Sequence, residues 1–290
     1  MALALRAPSG DIPAMAGTLY VVATPLGNLE DMTLRAIRVL KEVSVVAAED
    51  TRHSRGLLTH FGIDTPLTSY FDHVERERAP RLVERLRRGE DVALISDAGT
   101  PGIADPGYRL VRAAIDAGIK VVPIPGPSVV IAGLSVAGVP TDRFAFEGFV
   151  PAKAHARQQF YAALVAEPRT VVCFEAGRRL PESLADLAAA MPDRQVVIAR
   201  EVTKLYEGFL RGTASELAAQ AGDMVARGEV TLFIAPAAER APSMSEEQLR
   251  AEIARRRASG LHLKEIAKAL SVESGWSSRD IYKLGLDDHE

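Results

Sequence analysis

The residues best suited to chemistry stand in "AEDTRHS", where Glu49, Asp50, Arg52 and His53 follow a short apolar run. A carboxylate here can take a proton from a hydroxyl, and an arginine can grip a phosphate or orient the carboxylates. A second polar cluster, "AREVTKLYEG" (199–208), offers Arg200, Glu201, Lys204 and Glu207, with Lys204 placed to meet a phosphate backbone or a reacting oxygen. A third, "EAGRRL" (175–180), offers Arg178 and Arg179 as phosphate contacts. The first two have plainer readings. Asp50 caps the next helix and pairs with Arg52, and the charges of 199–208 form a salt-bridge network between domains or subunits. On residue types alone both readings stay open. His60, His73, His155 and His289 show no metal-ligand spacing with one another or with Cys173, so no zinc is expected.

Groups of this kind need a platform, and three loops rich in glycine and proline suggest one: "TPLGN" (24–28), "SDAGTPG" (96–102) and "PGPS" (125–128). Each follows an apolar run that reads as a strand, and open parallel sheets bind ligands beyond the carboxyl ends of their strands. Glycine lets the backbone approach a ligand and proline fixes the path, so such loops recognise mainly through main-chain groups. One such loop is most simply a tight corner, whereas three on one sheet edge favour a binding site. The first loop, "ATPLGN", lacks the G-x-G-x-x-G of a dinucleotide fold. "GIADPGYR" has P-loop glycine spacing but carries Tyr108 and Arg109 where Lys and Ser/Thr belong.

The runs that position these loops alternate between strand and helix. Residues 18–23, 43–48, 67–71, 91–96 and 120–124 read as strands, with helices between them, one capped by Asp31 and one opened by Gly126–Pro127–Ser128. Continuous apolar strands separated by helices predict a parallel sheet covered on both faces. Beyond Pro140 a second pattern begins: strands at 143–150, "TVVCFE", 195–200, 205–212 and 229–235, with helices at 153–165, 181–190 and near Thr213, which predicts a mixed sheet. The fold class expected is therefore two α/β domains, 17–140 and 141–235. A linker (236–244) and a strandless helical, helix-turn-helix-like module (245–286) follow, and a disordered leader (1–16) precedes them.

Of the 290 residues, 47% are hydrophobic and 25% charged, a globular profile, and no apolar run is long enough to cross a bilayer. The single Cys173, inside "TVVCFE", excludes an internal disulfide and reads as a buried thiol; with no secretory layout at the N-terminus, a cytoplasmic protein is expected. A net charge of −3 argues against indiscriminate nucleic-acid coating. The arginines of "ERERAPRLVERLRRG" (75–89) read first as a solvated helix face. The C-terminal module before its "DDHE" tail carries a net +2, with Arg255, Arg256, Arg257, Lys264, Lys268, Arg279 and Lys283 as candidate RNA contacts. Trp276 is either a base-stacking ring or part of a small core.

The stretches "TLYVVATPLGNLEDMTLRAIRVLKEVSVVAAEDTRHSRGLL", "ALISDAGTPGIADPG" and "VVPIPGPSVVIAGLSVAG" resemble the tetrapyrrole methylase superfamily of S-adenosylmethionine-dependent methyltransferases. Within it they are similar to the branch that methylates the ribose 2′-oxygen of a cytidine in the decoding region of small-subunit (16S) ribosomal RNA. The resemblance runs over roughly residues 17 to 286. It departs from the cobalamin and siroheme branches, which carry Gly-Asp-Pro where this chain has Ser96, Asp97 and Ala98. It implies that S-adenosyl-L-methionine lies in a cleft between the two α/β domains. The contacts would fall on Leu26, Asp97, Ala98, Gly99, Thr100, Ile103, Ala104, Ser128 and Val129 from the first, and on Phe174, Glu175, Ala199, Arg200 and Thr231 from the second. It further implies 16S rRNA or the small ribosomal subunit as partner, a homodimer, and neither membrane nor DNA as partner. The alternatives are a C-methyltransferase acting on a tetrapyrrole and a nucleotide-binding sensor without catalysis.

Overall fold

The computed structural model describes residues 16–221, 228–238 and 244–287. Residues 1–15 of the expected leader and 239–243 of the expected linker lie outside them. The chain divides into one unit up to Pro236 and a second from Ala237 onward.

The first unit holds two five-stranded sheets. In the first, β1 (Thr18–Val22), β2 (Val45–Ala48), β3 (Leu67–Ser69), β4 (Val92–Ile95) and β5 (Lys120–Ile124) pair in the order β3-β2-β4-β1-β5. All four pairings are parallel. Every residue of β2 and β4 is buried, which is why these strands read as unbroken apolar runs. Alternate residues point to opposite faces. Leu19, Val45 and Leu94 pack on α3 (Glu75–Arg87) and α4 (Tyr108–Asp116), while Val22, Val46 and Ile95 pack on α1 (Leu34–Glu42) and α2 (Thr51–His60). The cap of α1 is Thr33, whose hydroxyl accepts from the amide of Ala36 at 3.1 Å, and not Asp31. Asp31 is instead taken up by a short 3-10 turn, Leu29–Asp31, capped by Asn28, which delays the helix start.

The second sheet is mixed, as expected. β6 (Phe144–Phe149), β7 (Thr170–Ala176), β8 (Gln195–Arg200), β9 (Gly208–Thr213) and β10 (Glu229–Ile234) pair in the order β6-β7-β10-β8-β9. Only β6 and β7 run parallel among these pairs. One face packs Val171, Cys173, Ile198 and Leu232 beneath α6 (Ala154–Ala163), α7 (Leu180–Ala190) and α8 (Ala214–Gln220). Burial pushes the Cys173 thiol far up, as for a structural thiol.

The other face is covered by α5 (Val129–Ala137), which enters from the first sheet's last strand. Val130, Leu134 and Ala137 of α5 form one cluster with Val172, Val197, Ala199 and Phe233. A helix that the sequence assigns to the first domain thus seals the second sheet. Gly133 lets the helix come close, since a Cβ there would overlap Cζ of the buried Phe233 ring. Gly133→Ala is expected to cost about 1–3 kcal/mol through overpacking, read as a lower urea midpoint at unchanged slope; a midpoint equal to wild type would show that the ring yields freely.

The second unit consists of α9 (Glu246–Ala258), α10 (Leu263–Ser274) and α11 (Ser278–Asp287) around Leu249, Ile253, Ile266, Leu270 and Ile281. Trp276 packs against that cluster and its indole N–H donates to the carbonyl of Met244 at 2.8 Å, so the ring belongs to the module's core. Ser277 caps α11 through the amide of Asp280 at 3.0 Å.

Candidate active site

The three glycine- and proline-rich loops converge at the carboxyl edge of the first sheet. Thr24, beyond β1, and Gly99, beyond β4, exchange two backbone hydrogen bonds of 2.8 and 3.0 Å. The Thr24 hydroxyl donates to the carbonyl of Ser96 at 3.0 Å, and the Thr100 hydroxyl donates to that of Pro127 in the third loop at 3.2 Å. Gly99 holds φ at +83°, a region open to glycine and costly for other residues.

These loops and one face of the second sheet enclose a cleft of about 410 Å³. From the first sheet's edge it is lined by Leu26, Asp97, Ala98, Gly99, Thr100, Ile103, Ser128 and Val129. From the second sheet come Phe174, Ala199 and Thr231, together with Phe149 and Val230. Of the two clusters first singled out, Glu49, Glu201 and Lys204 also reach the cleft.

Three expected contacts do not line it, for local reasons. Phe174 and Ala199 face the cleft, so their neighbours Glu175 and Arg200 point to the opposite side of their strands. Glu175 is fully buried and paired with Arg179, Oε1 to Nη2 at 2.6 Å. This also ties down an arginine expected to contact phosphate, while Arg178 stays exposed. Arg200 is exposed at the end of β8. Ala104 is turned outward on a left-handed backbone, φ +63°.

Asp50 follows its plainer reading. It caps α2 by accepting from the Arg52 amide at 2.8 Å and pairs with the Arg52 guanidinium at 3.2 Å, which holds its carboxyl below the usual range. Lys204 makes a local pair at the mouth of the cleft. Its ammonium pairs with Glu201 at 3.3 Å while its stem lies across Gly27, where a Cβ would stand 2.6 Å away.

Sequence reasoning missed the acidity of the site. Among the described residues the cleft is lined by five carboxylates, Glu49, Asp97, Asp105, Glu201 and Glu229, against one lysine. Desolvation, with Asp105 and Asp97 next to it, pushes the Glu49 carboxyl up to about 7. Desolvation likewise raises Asp105 to about 6. Glu49 is held in place by its loop: the Asp97 amide points at its Oε2, at 3.5 Å, and the Asp97 carboxylate accepts from the Asp50 amide at 3.1 Å. A carboxylate half ionised near neutrality, facing an acidic cleft, is suited to taking up a proton and to holding a cation.

The candidate RNA contacts of the C-terminal module divide into two sets. Arg255 and Arg256 pair with Glu252 at 2.7 Å, Arg256 reaches Glu273 at 2.6 Å, and Arg257 donates to the Gly285 carbonyl at 2.9 Å. These arginines brace the module. Lys264, Lys268, Arg279 and Lys283 are exposed and have no ion pair among the described residues. No group of three or more histidine, cysteine or carboxylate side chains among the described residues could hold a metal ion.

Residues 18–218 match the family model for tetrapyrrole (corrin/porphyrin) methylases. A Synechocystis protein named ribosomal RNA small subunit methyltransferase I is 46% identical over 93% of this chain and 98% of its own length. A Pseudomonas aeruginosa protein of the same name is 52% identical over 81% of this chain and 85% of its own. Among solved structures, uroporphyrin-III-C-methyltransferase from Thermus thermophilus superimposes with a TM-score of 0.53 at 22% identity, covering 75% of this chain and 94% of that one, a likeness of fold. The chain therefore belongs to the tetrapyrrole methylase family and, within it, to the family of the small-subunit ribosomal RNA methyltransferases I.

Proposed function

We propose that this protein transfers a methyl group from S-adenosyl-L-methionine to the ribose 2′-oxygen of a cytidine in the decoding region of 16S ribosomal RNA. The family of its relatives supports a ribosomal RNA methyltransferase. The observation that carries the chemistry is Glu49, a carboxyl raised to about 7 in an acidic cleft at the end of β2. The resemblance supports a homodimer acting in the cytoplasm on the small subunit or its RNA.

The lining fits the donor. Leu26, Ile103, Val129 and Phe174 offer apolar surface for a flat base, the loop backbone at 97–100 offers main-chain groups, and the surplus of carboxylates suits a cation. When bound, S-adenosyl-L-methionine supplies an electrophilic methyl group on a positively charged sulfur. The loops tied by Thr24, Gly99 and Thr100 hold position and exclude water. A ribose hydroxyl is a weak nucleophile at neutral pH. Glu49 accepts its proton on a carboxylate oxygen as the oxygen gains the methyl group. Asp97 and Asp105 raise the affinity of Glu49 for that proton, and Lys204 borders the cleft beside Glu201.

The test is incubation of the protein with labelled S-adenosyl-L-methionine and either unmodified small ribosomal subunits or uroporphyrinogen. Label in a 2′-O-methylated nucleoside that resists alkaline cleavage is expected. Label in the macrocycle alone overturns the RNA reading, and label in neither favours the sensor. Asp105→Asn removes a like charge beside Glu49, so the midpoint of the pH–rate profile is expected to move to lower pH. An unmoved midpoint would separate Glu49 from the rate.

A further inference from the structure

Next to the acidic cleft, at the same sheet edge, lies a second concavity, lined by Thr51, Arg52, Arg55, Thr68, Ser69 and Arg78. The two share the end of β2. Ala48 pairs with Ser69 on one side and with Ile95 on the other. One residue on, Glu49 faces the cleft; two further on, Thr51 faces the concavity. Their Cα atoms are at most about 7 Å apart, the reach of two extended residues.

The arginines here are not spent as their neighbours are. Along α3, Arg81 pairs with Glu77, and Arg85 and Arg88 pair with Glu90, the solvated face that the sequence suggests. Arg78 instead turns to β3, giving the Thr68 hydroxyl a bond of 3.3 Å, and its buried Nε has no partner among the described residues. Arg55 is exposed and has no ion pair among them. Arg52 is held by Asp50 alone, with 91% of its side chain open to solvent. Asp50 offsets one of three guanidinium charges, and three hydroxyls complete the rim.

We propose that this concavity binds a phosphate of the RNA backbone beside the nucleotide whose ribose enters the cleft. The inference rests on the RNA reading above and specifies how the strand is held. Forked guanidinium donors with hydroxyls around them match a phosphate. The cleft itself cannot take one, because its carboxylates repel a phosphodiester. A ribose is presented to Glu49 only if its flanking phosphate is gripped outside, and the three arginines stand at that border.

The test compares steady-state methylation of unmodified small subunits by wild type, Arg55→Ala and Arg55→Ala/Arg78→Ala, with Arg81→Ala as a control on the same helix. The double variant is expected to raise KM about tenfold or more with kcat within about threefold. The dependence of log(kcat/KM) on log salt should become shallower by about 0.7 per lost phosphate contact. Donor affinity by calorimetry and thermal midpoint should match wild type, and Arg78→Lys should recover part of the loss. If the double variant unfolds, the exposed Arg55→Ala carries the same comparison. Wild-type KM and salt slope in a folded double variant would overturn the subsite while leaving the RNA reading intact. A wild-type protein that binds donor yet labels no ribosomal RNA would overturn both.

Discussion

Glu49→Gln is expected to lower kcat by about 10²–10⁴-fold, the usual worth of a positioned general base. The amide keeps the shape and loses the proton acceptor, so KM for RNA and affinity for the cofactor's neutral product, S-adenosylhomocysteine, should change little. The same change should make the protein more stable. Glu49 has its pKa raised from an ordinary 4.5 to about 7, so the folded chain holds the proton more tightly than the unfolded one. The cost of ionising it in the fold is absent below pH 4.5, grows as pH rises to about 7 and is complete above. With the carboxyl partly solvated, the gain at pH 8 is about 1–2 kcal/mol. Urea unfolding at pH 8 and pH 4.5 measures it, with a difference expected only at the higher pH. In wild type the rate should climb through about pH 7 and level off, and in Glu49→Gln it should be flat. A Gln variant with full activity, or one less stable at pH 8, would remove Glu49 from this role.

Gly99→Val carries the second large effect. Gly99 closes the ring of loops through two hydrogen bonds to Thr24, at φ +83°, and a Cβ there would stand 3.4 Å from Leu26. A left-handed L-residue costs about 1–2 kcal/mol, and a β-branched one more. The loop is expected to relieve that strain by flipping out of the bridge. Affinity for the methyl donor should fall about 10- to 100-fold, since each 1.4 kcal/mol is a factor of ten. Gly99→Ala, with the same backbone strain and less bulk, should fall between. Calorimetry on both variants measures the losses, and equal affinity in all three proteins would show that the bridge does not shape the site.

Much of this was legible from residues. The unbroken apolar runs "VVAA" and "VALI" announced parallel strands buried on both faces, and the loops after β1, β4 and β5 announced the binding edge. The rest depends on geometry that one-dimensional spacing hides. Glu175 and Arg200 adjoin Phe174 and Ala199 in sequence, yet they lie on the opposite faces of β7 and β8, away from the cleft. The acidity of the cleft was hidden because its carboxylates come from separate places: Glu49 after β2, Asp105 in the loop after β4, Glu229 at the start of β10. Only folding brings them together. Asp105 lies within "GIADPG", where the glycines are the more conspicuous residues. The reach of α5 across to the second sheet left little trace: "VVIAGLSVA" has almost no polar residue on either face, so its buried side (Val130, Gly133, Leu134, Ala137) is not set apart from its exposed one (Ile131, Val136).

The account depends on an acidic, loop-bounded cleft that favours a positively charged methyl donor. Isothermal titration with S-adenosyl-L-methionine and with neutral-sulfur S-adenosylhomocysteine, between pH 6 and pH 8, tests this most directly. Ionisation of Glu49, near 7, and of Asp105, near 6, should strengthen binding of the sulfonium compound across that range and leave its neutral counterpart nearly unchanged. Folded protein that binds neither compound, or binds both with the same pH dependence, would contradict it.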